Sequence, residues 1–234
     1  MKKLSLSLFI IVLMVSSLRA GNEENPNHRG YFYGLGAWQR MNFSEVNTAL
    51  GGEGFKPLFE NRAYFGIGWD GLDKRYFSSF DFGFSPNQRL RDSSGVRFMN
   101  SSLAFFRFRS GWAVIQKEAW DLIPYIGVNF DVLTISQGLY QDSVTQWFRN
   151  PVPMNQTTAV RGSIEPGIQF SWMPGLKKKD SDVVDRYLRI TLRAGYAIGA
   201  GSTYWYSNRR RLSGPDFTGG PFVTLTVGGL LRDN

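Results

Sequence analysis

Hydrophobic and polar positions alternate through most of this chain, and residues 76–85 show it most plainly. Tyr76, Ser78, Phe80, Phe82 and Phe84 fall on one face; Phe77, Ser79, Asp81, Gly83 and Ser85 fall on the other. A period of two belongs to a strand. Seven further segments read the same way: 31–42, 62–72, 98–115, 122–133, 158–172, 186–200 and 219–231. Most run ten to fifteen residues, longer than the usual soluble strand of about 5–6. A tilted strand crossing a bilayer needs about 9–11.

The connections alternate as well. Residues 43–61, 134–157 and 201–218 are long, 86–97 is intermediate, and 73–75 and 116–121 are short; 173–185 is longer than its place predicts. Long loops on one side and short turns on the other are the asymmetry of membrane barrels. The pattern predicts an all-β fold, an eight-stranded antiparallel transmembrane β-barrel.

If the apolar residues of each strand face lipid, Gly34, Gly36, Gly66, Gly68, Gly83, Gly111, Gly127, Gly167, Gly195, Gly199 and Gly228 take the opposite parity. A narrow barrel accounts for this, because its interior is just wide enough for side chains to fill. The outward parity gathers Tyr31, Tyr33, Trp69, Tyr76, Trp112 and Trp172 near the short-turn ends. That predicts a girdle of amphipathic rings at one membrane interface.

Composition narrows the chemistry. The chain has no cysteine and one histidine, His28. Thiolate and His-based metal sites are thereby excluded, and no cofactor is expected. Residues 1–20 read as a signal peptide: Lys2 and Lys3, then an apolar run over 4–15, then a cleavage region ending at Ala20. Residues 21–29 read as a periplasmic lead-in and 30–234 as the barrel. The formal charge of +8 includes Lys2, Lys3 and Arg19, so the mature chain carries three fewer, +5. Such a charge does not call for nucleic acid.

Over residues 30–231 the chain resembles the small eight-stranded outer-membrane barrels of the OmpA/OmpX type. It is also similar to the outer-membrane β-barrel group of Bacteroidota that includes the PorT-like proteins. The likeness rests on the architecture and on phrases such as Pro124-Tyr125-Ile126-Gly127-Val128 and Tyr31-Phe32-Tyr33-Gly34-Leu35-Gly36. It implies a bacterial outer-membrane location with both termini periplasmic, and assembly by the barrel assembly machinery. Many such barrels end in an aromatic residue; here the end is Leu230-Leu231-Arg232-Asp233-Asn234. No periplasmic peptidoglycan-binding domain is expected after the eighth strand.

The inward parity collects Arg40, Arg107, Arg109, Arg189 and Arg193 with Asp70, Asp81, Asp131 and Glu165. Opposite charges sharing hydrogen bonds offset the cost of entering a narrow lumen, so a salt-bridged plug is expected. A small gated pore through the same charges is the alternative. A lipid A-modifying barrel enzyme is a third reading: a His-centred group would have to use His28, in the lead-in and poorly placed, and a metal-dependent or paired-carboxylate site would use groups such as Asp81 and Glu165, whose arginine neighbours favour a structural role. The expected role is non-enzymatic: membrane structure, surface interaction or an accessory subunit of an envelope or secretion complex. Tyr204, Trp205, Tyr206, Arg209, Arg210 and Arg211 are the surface-loop binding candidates, suited to outer-membrane lipid and lipopolysaccharide. Tyr140, Trp147 and Phe148 mark a second docking loop, and Lys177-Lys178-Lys179 a periplasmic turn.

Overall fold

The computed structural model describes residues 28–117, 119–139, 155–174, 188–207 and 210–231. Residues 1–27, Glu118, Tyr140, Trp147, Phe148, the lysine run at 177–179, Asn208, Arg209 and residues 232–234 lie outside these.

The strands are β1 (His28–Arg40), β2 (Asn61–Asp73), β3 (Tyr76–Arg91), β4 (Arg97–Trp112), β5 (Ile115–Gln116), β6 (Trp120–Leu139), β7 (Asn155–Trp172), β8 (Leu188–Tyr196), β9 (Ile198–Ser207), β10 (Arg210–Leu212) and β11 (Pro221–Leu231). One helix, α1 (Ser44–Gly52), lies between β1 and β2. Every pairing is antiparallel, and β1 pairs with both β2 and β11. The ring runs β1, β2, β3, β4, β6, β7, then β8 continued by β9, then β11. These are the eight staves the alternation predicts. The ring closes through the pairing of β1 with β11, the condition for crossing a bilayer with strands. Among the described residues no helix is long and apolar enough to cross a membrane.

The seventh stave is broken at Ala197, whose N–H donates to the Gly220 carbonyl at 2.9 Å rather than to a strand. Below the break β8 pairs with β7 and β11; above it β9 stays with β7 and takes β10 as its other neighbour. The turn between β2 and β3 holds Lys74 in the left-handed region, φ 53°, as tight hairpin turns demand.

The outer surface of the ring is apolar. Phe32, Phe65, Ile67, Phe84, Ile126, Ile168, Leu192, Leu225 and Val227 are exposed along it. Phe80 and Phe82 face out and stack on Phe108 and Phe106 of β4, with ring centroids 5.0 and 4.9 Å apart. So continuous an apolar belt around a closed ring belongs in lipid, not in water.

The loop end is filled from above. The predicted loop 43–61 folds into α1 and a following segment. Ser44 N–H donates to Asn42 Oδ1 at 3.0 Å, an Asx turn that leads the chain into the helix. Val46 and Leu50 turn into the barrel mouth. Asn47 clamps the segment that follows: its Oδ1 accepts from Leu58 N–H at 2.7 Å and its Nδ2 donates to the Leu58 carbonyl at 3.2 Å. Phe43, Phe55 and Leu58 are thereby buried with Leu35, Tyr64, Met99, Leu103, Phe105, Leu133 and Phe217 in one apolar cluster. The segment also closes a gap in the wall. Pairing of β2 with β3 stops at Phe65 and Phe84, and beyond it Gln88 of β3 accepts from Phe59 N–H at 3.0 Å.

Candidate functional site

Below the apolar cap the lumen is ionic. Arg193 on β8 is its centre and is fully buried. Its Nη2 donates to both oxygens of Asp70 at 2.6 and 2.7 Å, and its Nη1 reaches Asp81 Oδ1 at 3.3 Å and Tyr33 Oη at 3.0 Å. Nε donates to Gln169 Oε1 at 2.7 Å. Arg109 pairs with Asp81 through Nη1 and lies 3.5 Å from Glu165 through Nη2. Arg107 Nε stands 3.2 Å from Glu165 Oε1, at an angle too poor for a hydrogen bond; its Nη2 donates to Gln39 Oε1 at 2.6 Å. Towards the turn end Arg189 bridges Asp70 at 3.3 Å and Asp121 at 3.0 Å, and lies 4.2 Å over the ring of Tyr31.

These groups occupy inward positions on their staves, so the network ties β1, β2, β3, β4, β6, β7 and β8 together across the barrel. Guanidinium forks suit this task because they can meet two carboxylates at once, although Arg107 Nε and Nη1, Arg109 Nε and Arg189 Nε find no hydrogen-bond partner among the described residues. Asp131 is the exception. It is buried, makes no ion pair among the described residues, and its Oδ2 accepts from Asn129 at 2.8 Å. Of the predicted lumen charges, Asp70, Asp81, Arg107, Arg109, Asp131, Glu165, Arg189 and Arg193 all point inward.

Arg40 does not. It lies on the outer face of β1 and pairs with exposed Glu60 at 3.2 Å. The whole of β1 is turned over relative to the prediction. Tyr31 and Tyr33 are in the lumen, 1% and 3% exposed, not in the outer girdle. Gly34 and Gly36 face out into open space. Both faces of β1 carry aromatic rings, so apolarity does not choose between them. The polar tips do: Tyr33 Oη lies 2.5 Å from Asp81 Oδ1 and 2.9 Å from Asp70 Oδ1, either of which can accept its hydrogen bond, and Gln39 Oε1 accepts from Arg107 Nη2. Size agrees, since Tyr33 pairs laterally with Gly68 on one side and Gly228 on the other. A Cβ at Gly68 would lie 2.5 Å from the Tyr33 ring. The same large-beside-small rule puts Gly111 and Gly167 beside Tyr125, and Gly195 beside Phe222.

Trp69, Tyr76, Trp112 and Trp172 face outward near the turn end. Trp112 pairs laterally with Tyr76, and Trp172 with Trp120, a ring the sequence reading did not include. Tyr204, Trp205 and Tyr206 are not in a loop. The alternation continues through them in β9, so Tyr204 and Tyr206 are exposed while Trp205 is buried and donates to the Pro215 carbonyl at 2.8 Å. Arg210 and Arg211 form the short β10, with the Arg211 guanidinium 4.6 Å above the Tyr204 ring.

Three charged lumen residues escaped the sequence reading. Arg62, buried beneath Phe43, donates to Ser101 at 3.1 Å. Arg161 pairs with Asp216 at 3.1 Å. Asp121 holds Arg189. Arg62 and Arg161 share the inward parity of their strand segments, and that signal was sufficient to find them; Asp121 was read as part of the connection 116–121 and lies in β6 instead.

At the loop rim, two carboxyls sit low. Burial raises Asp92, but hydrogen bonds from Ser94 and Arg97 outweigh it and hold the carboxyl at about 2. Asp216 is lowered by the Thr203 N–H, against burial, with help from the Thr203 hydroxyl and Arg161.

No family model and no curated protein sequence matches the chain. Among solved structures it is similar to Ail of Yersinia pestis, described in complex with the heparin analogue sucrose octasulfate. Identity there is 10% over 88% of this chain and 99% of that one, with a TM-score of 0.42. It is also similar to Neisserial surface protein A, at 10% identity over 87% and 97%, TM-score 0.39. A major outer membrane protein of Thermus thermophilus matches at 10% over 87% and 99%, TM-score 0.40. These overlays are loose, and the barrel assignment rests on the strand register above.

Proposed function

We propose that this protein is a non-enzymatic, closed barrel of a bacterial outer membrane. It strengthens the membrane and presents its loop end as an interaction surface, alone or as an accessory subunit of an envelope complex. The observation that carries this reading is the filled lumen. A fully buried ionic layer around Arg193 lies beneath an apolar layer sealed by α1, and together they support a closed barrel over the pore reading.

In this account residues 1–20 are an export signal, and both termini lie on the periplasmic side. Trp69, Tyr76, Trp112 and Trp172 settle at the inner interface. Tyr204, Tyr206, Arg210 and Arg211 meet the outer one, where aromatic rings and guanidiniums suit lipopolysaccharide phosphates. The barrel assembly machinery is the partner during insertion. The test is conductance in planar bilayers with the purified, folded barrel. Silence at moderate voltage is expected; steady, reproducible steps would overturn the closed-barrel reading.

A further inference from the structure

A cleft of about 510 Å3 opens at the loop end, within the range of small-molecule sites of about 300–1,000 Å3. Its walls come from three separate pieces of chain: Glu45 from α1, Ser202 and Thr203 from β9, and Arg211, Leu212 and the segment after β10.

These walls are fixed in advance. The Asp216 N–H donates to Glu45 Oε2 at 2.8 Å, which ties the segment after β10 to the helix. The Thr203 N–H donates to Asp216 Oδ1 at 2.7 Å, and the same oxygen lies 3.1 Å from Arg161 Nη1, a side chain only 7% exposed. Gly214 lies against the Trp205 indole, where a Cβ would come within 2.6 Å of the ring. The indole in turn is held by its bond to Pro215. A pre-set cleft loses little ordering entropy on binding.

Charge selects the ligand class. Asp216 is neutralised from beneath by Arg161. Among the described lining residues that leaves one carboxylate, Glu45, and one guanidinium, Arg211, which already rests on the Tyr204 ring. A phosphate or sulfate would find no surplus of positive charge and would face Glu45. A neutral polyol finds complementary groups throughout. Its hydroxyls donate to Glu45 and accept from Arg211, and the Ser202 and Ser213 hydroxyls both donate and accept. Leu212, 43% exposed, offers an apolar surface to the C–H face of a sugar ring.

We propose that this cleft binds an uncharged sugar unit, a hexose or N-acetylhexosamine, of a surface glycan. The inference rests on the reading that the loop end faces outward. The glycan of the cell's own envelope and that of another cell offer the same chemistry.

The test uses the full-length barrel in detergent. Saturation-transfer NMR is run with methyl glucoside, methyl galactoside and methyl N-acetylglucosaminide, and in parallel with glucose 1-phosphate and inorganic phosphate. Saturable binding of at least one neutral glycoside in the millimolar range is expected, with the phosphates weaker. Ser213→Trp and Ser202→Trp each fill the cleft and abolish binding. Glu45→Gln keeps an acceptor for the Asp216 N–H and weakens binding about tenfold, through loss of charge-assisted hydrogen bonds. Heat-modifiable gel mobility confirms that each variant is folded. Tighter binding of the phosphates, no saturation by any neutral glycoside, or full binding by both folded tryptophan variants overturns the proposal. Capture of the cell's own extracted polysaccharide, against capture of glycans from other cells, separates the two sources. Labelling of Ser213→Cys on intact cells separates the two readings: a labelled surface without glycan binding overturns the cleft alone, and an unlabelled one overturns the outward loop end.

Discussion

Replacing Arg193 by methionine removes the one guanidinium that touches Asp70, Asp81, Tyr33 and Gln169 together. The volume is nearly kept, so the effect is electrostatic. Asp70 retains Arg189 at 3.3 Å and Asp81 retains Arg109, which spares the site full exposure of two bare charges. Breaking a buried pair by removing one partner costs roughly 3–5 kcal/mol, and the remaining arginines place Arg193→Met near the lower end, about 3 kcal/mol. Arg193→Lys keeps the charge but loses the fork and falls between wild type and methionine. Arg193→Met with Asp70→Asn removes one charge of each sign and recovers about 1–3 kcal/mol relative to the sum of the two single variants. Arg40→Ala, at an exposed pair with Glu60, changes stability by no more than ~1 kcal/mol. The assay is reversible urea unfolding in lipid vesicles, followed by tryptophan fluorescence. Stability of Arg193→Met within about 1 kcal/mol of wild type would refute the reasoning, as would a double variant showing no recovery.

Other outcomes follow from the same geometry. Gly68→Ala puts a methyl 2.5 Å from the Tyr33 ring and 2.6 Å from Asp81, and costs about 1–3 kcal/mol by overpacking. Gly34→Ala meets nothing within 4 Å and is neutral or slightly stabilising in the same titration; the opposite ranking would return β1 to the orientation predicted from sequence. Phe43→Ala removes a fully buried ring packed 5.8 Å from Phe217. It costs about 3–5 kcal/mol, and hydrogen exchange accelerates in α1 more than in β3. Asp92 has a folded pKa depressed to about 2. Its contribution is therefore complete above the unfolded value of about 3.9 and is lost as pH falls through about 2. A carboxyl NMR titration midpoint near 4 would contradict the bonds to Ser94 and Arg97.

The ring of eight staves was legible because each strand carries its own period-two signal; residues 76–85 alone show two faces, and the glycine parity of the other strands placed Asp81 inward. β1 was not legible in the same way. Tyr31, Tyr33, Phe32 and Trp38 put rings on both faces, and only the cross-strand partners Gly68 and Gly228, which require the register, show which ring has room inside. Gln39 and Gln169 were invisible as network members because nothing local marks a neutral amide as a partner for a distant arginine. Arg62 and Arg161 were legible by parity, since they sit on the same strand faces as Asp70 and Glu165. α1 was hidden because Ser44–Gly52 has only Val46 and Leu50 to bury and follows Phe43, which gives no side-chain cap. Its helix is held by the barrel mouth beneath it. The cleft arises from three segments distant in sequence, joined by Glu45 and Asp216, and no local pattern announces such a meeting.

The most direct measurement of the central claim is oxygen accessibility of single spin labels in lipid vesicles. The native chain contains no cysteine, so one cysteine at a time can be placed along 31–38 and 77–84. Oxygen accessibility should alternate with a period of two in both strands. It should be high at Phe32, Gly34, Gly36 and Trp38 and at Phe80, Phe82 and Phe84, and low at Tyr31, Tyr33, Phe77, Ser79, Asp81 and Gly83. Loss of alternation, or high accessibility at Tyr31 and Tyr33, would contradict a lipid-embedded barrel with its ionic lumen turned inward.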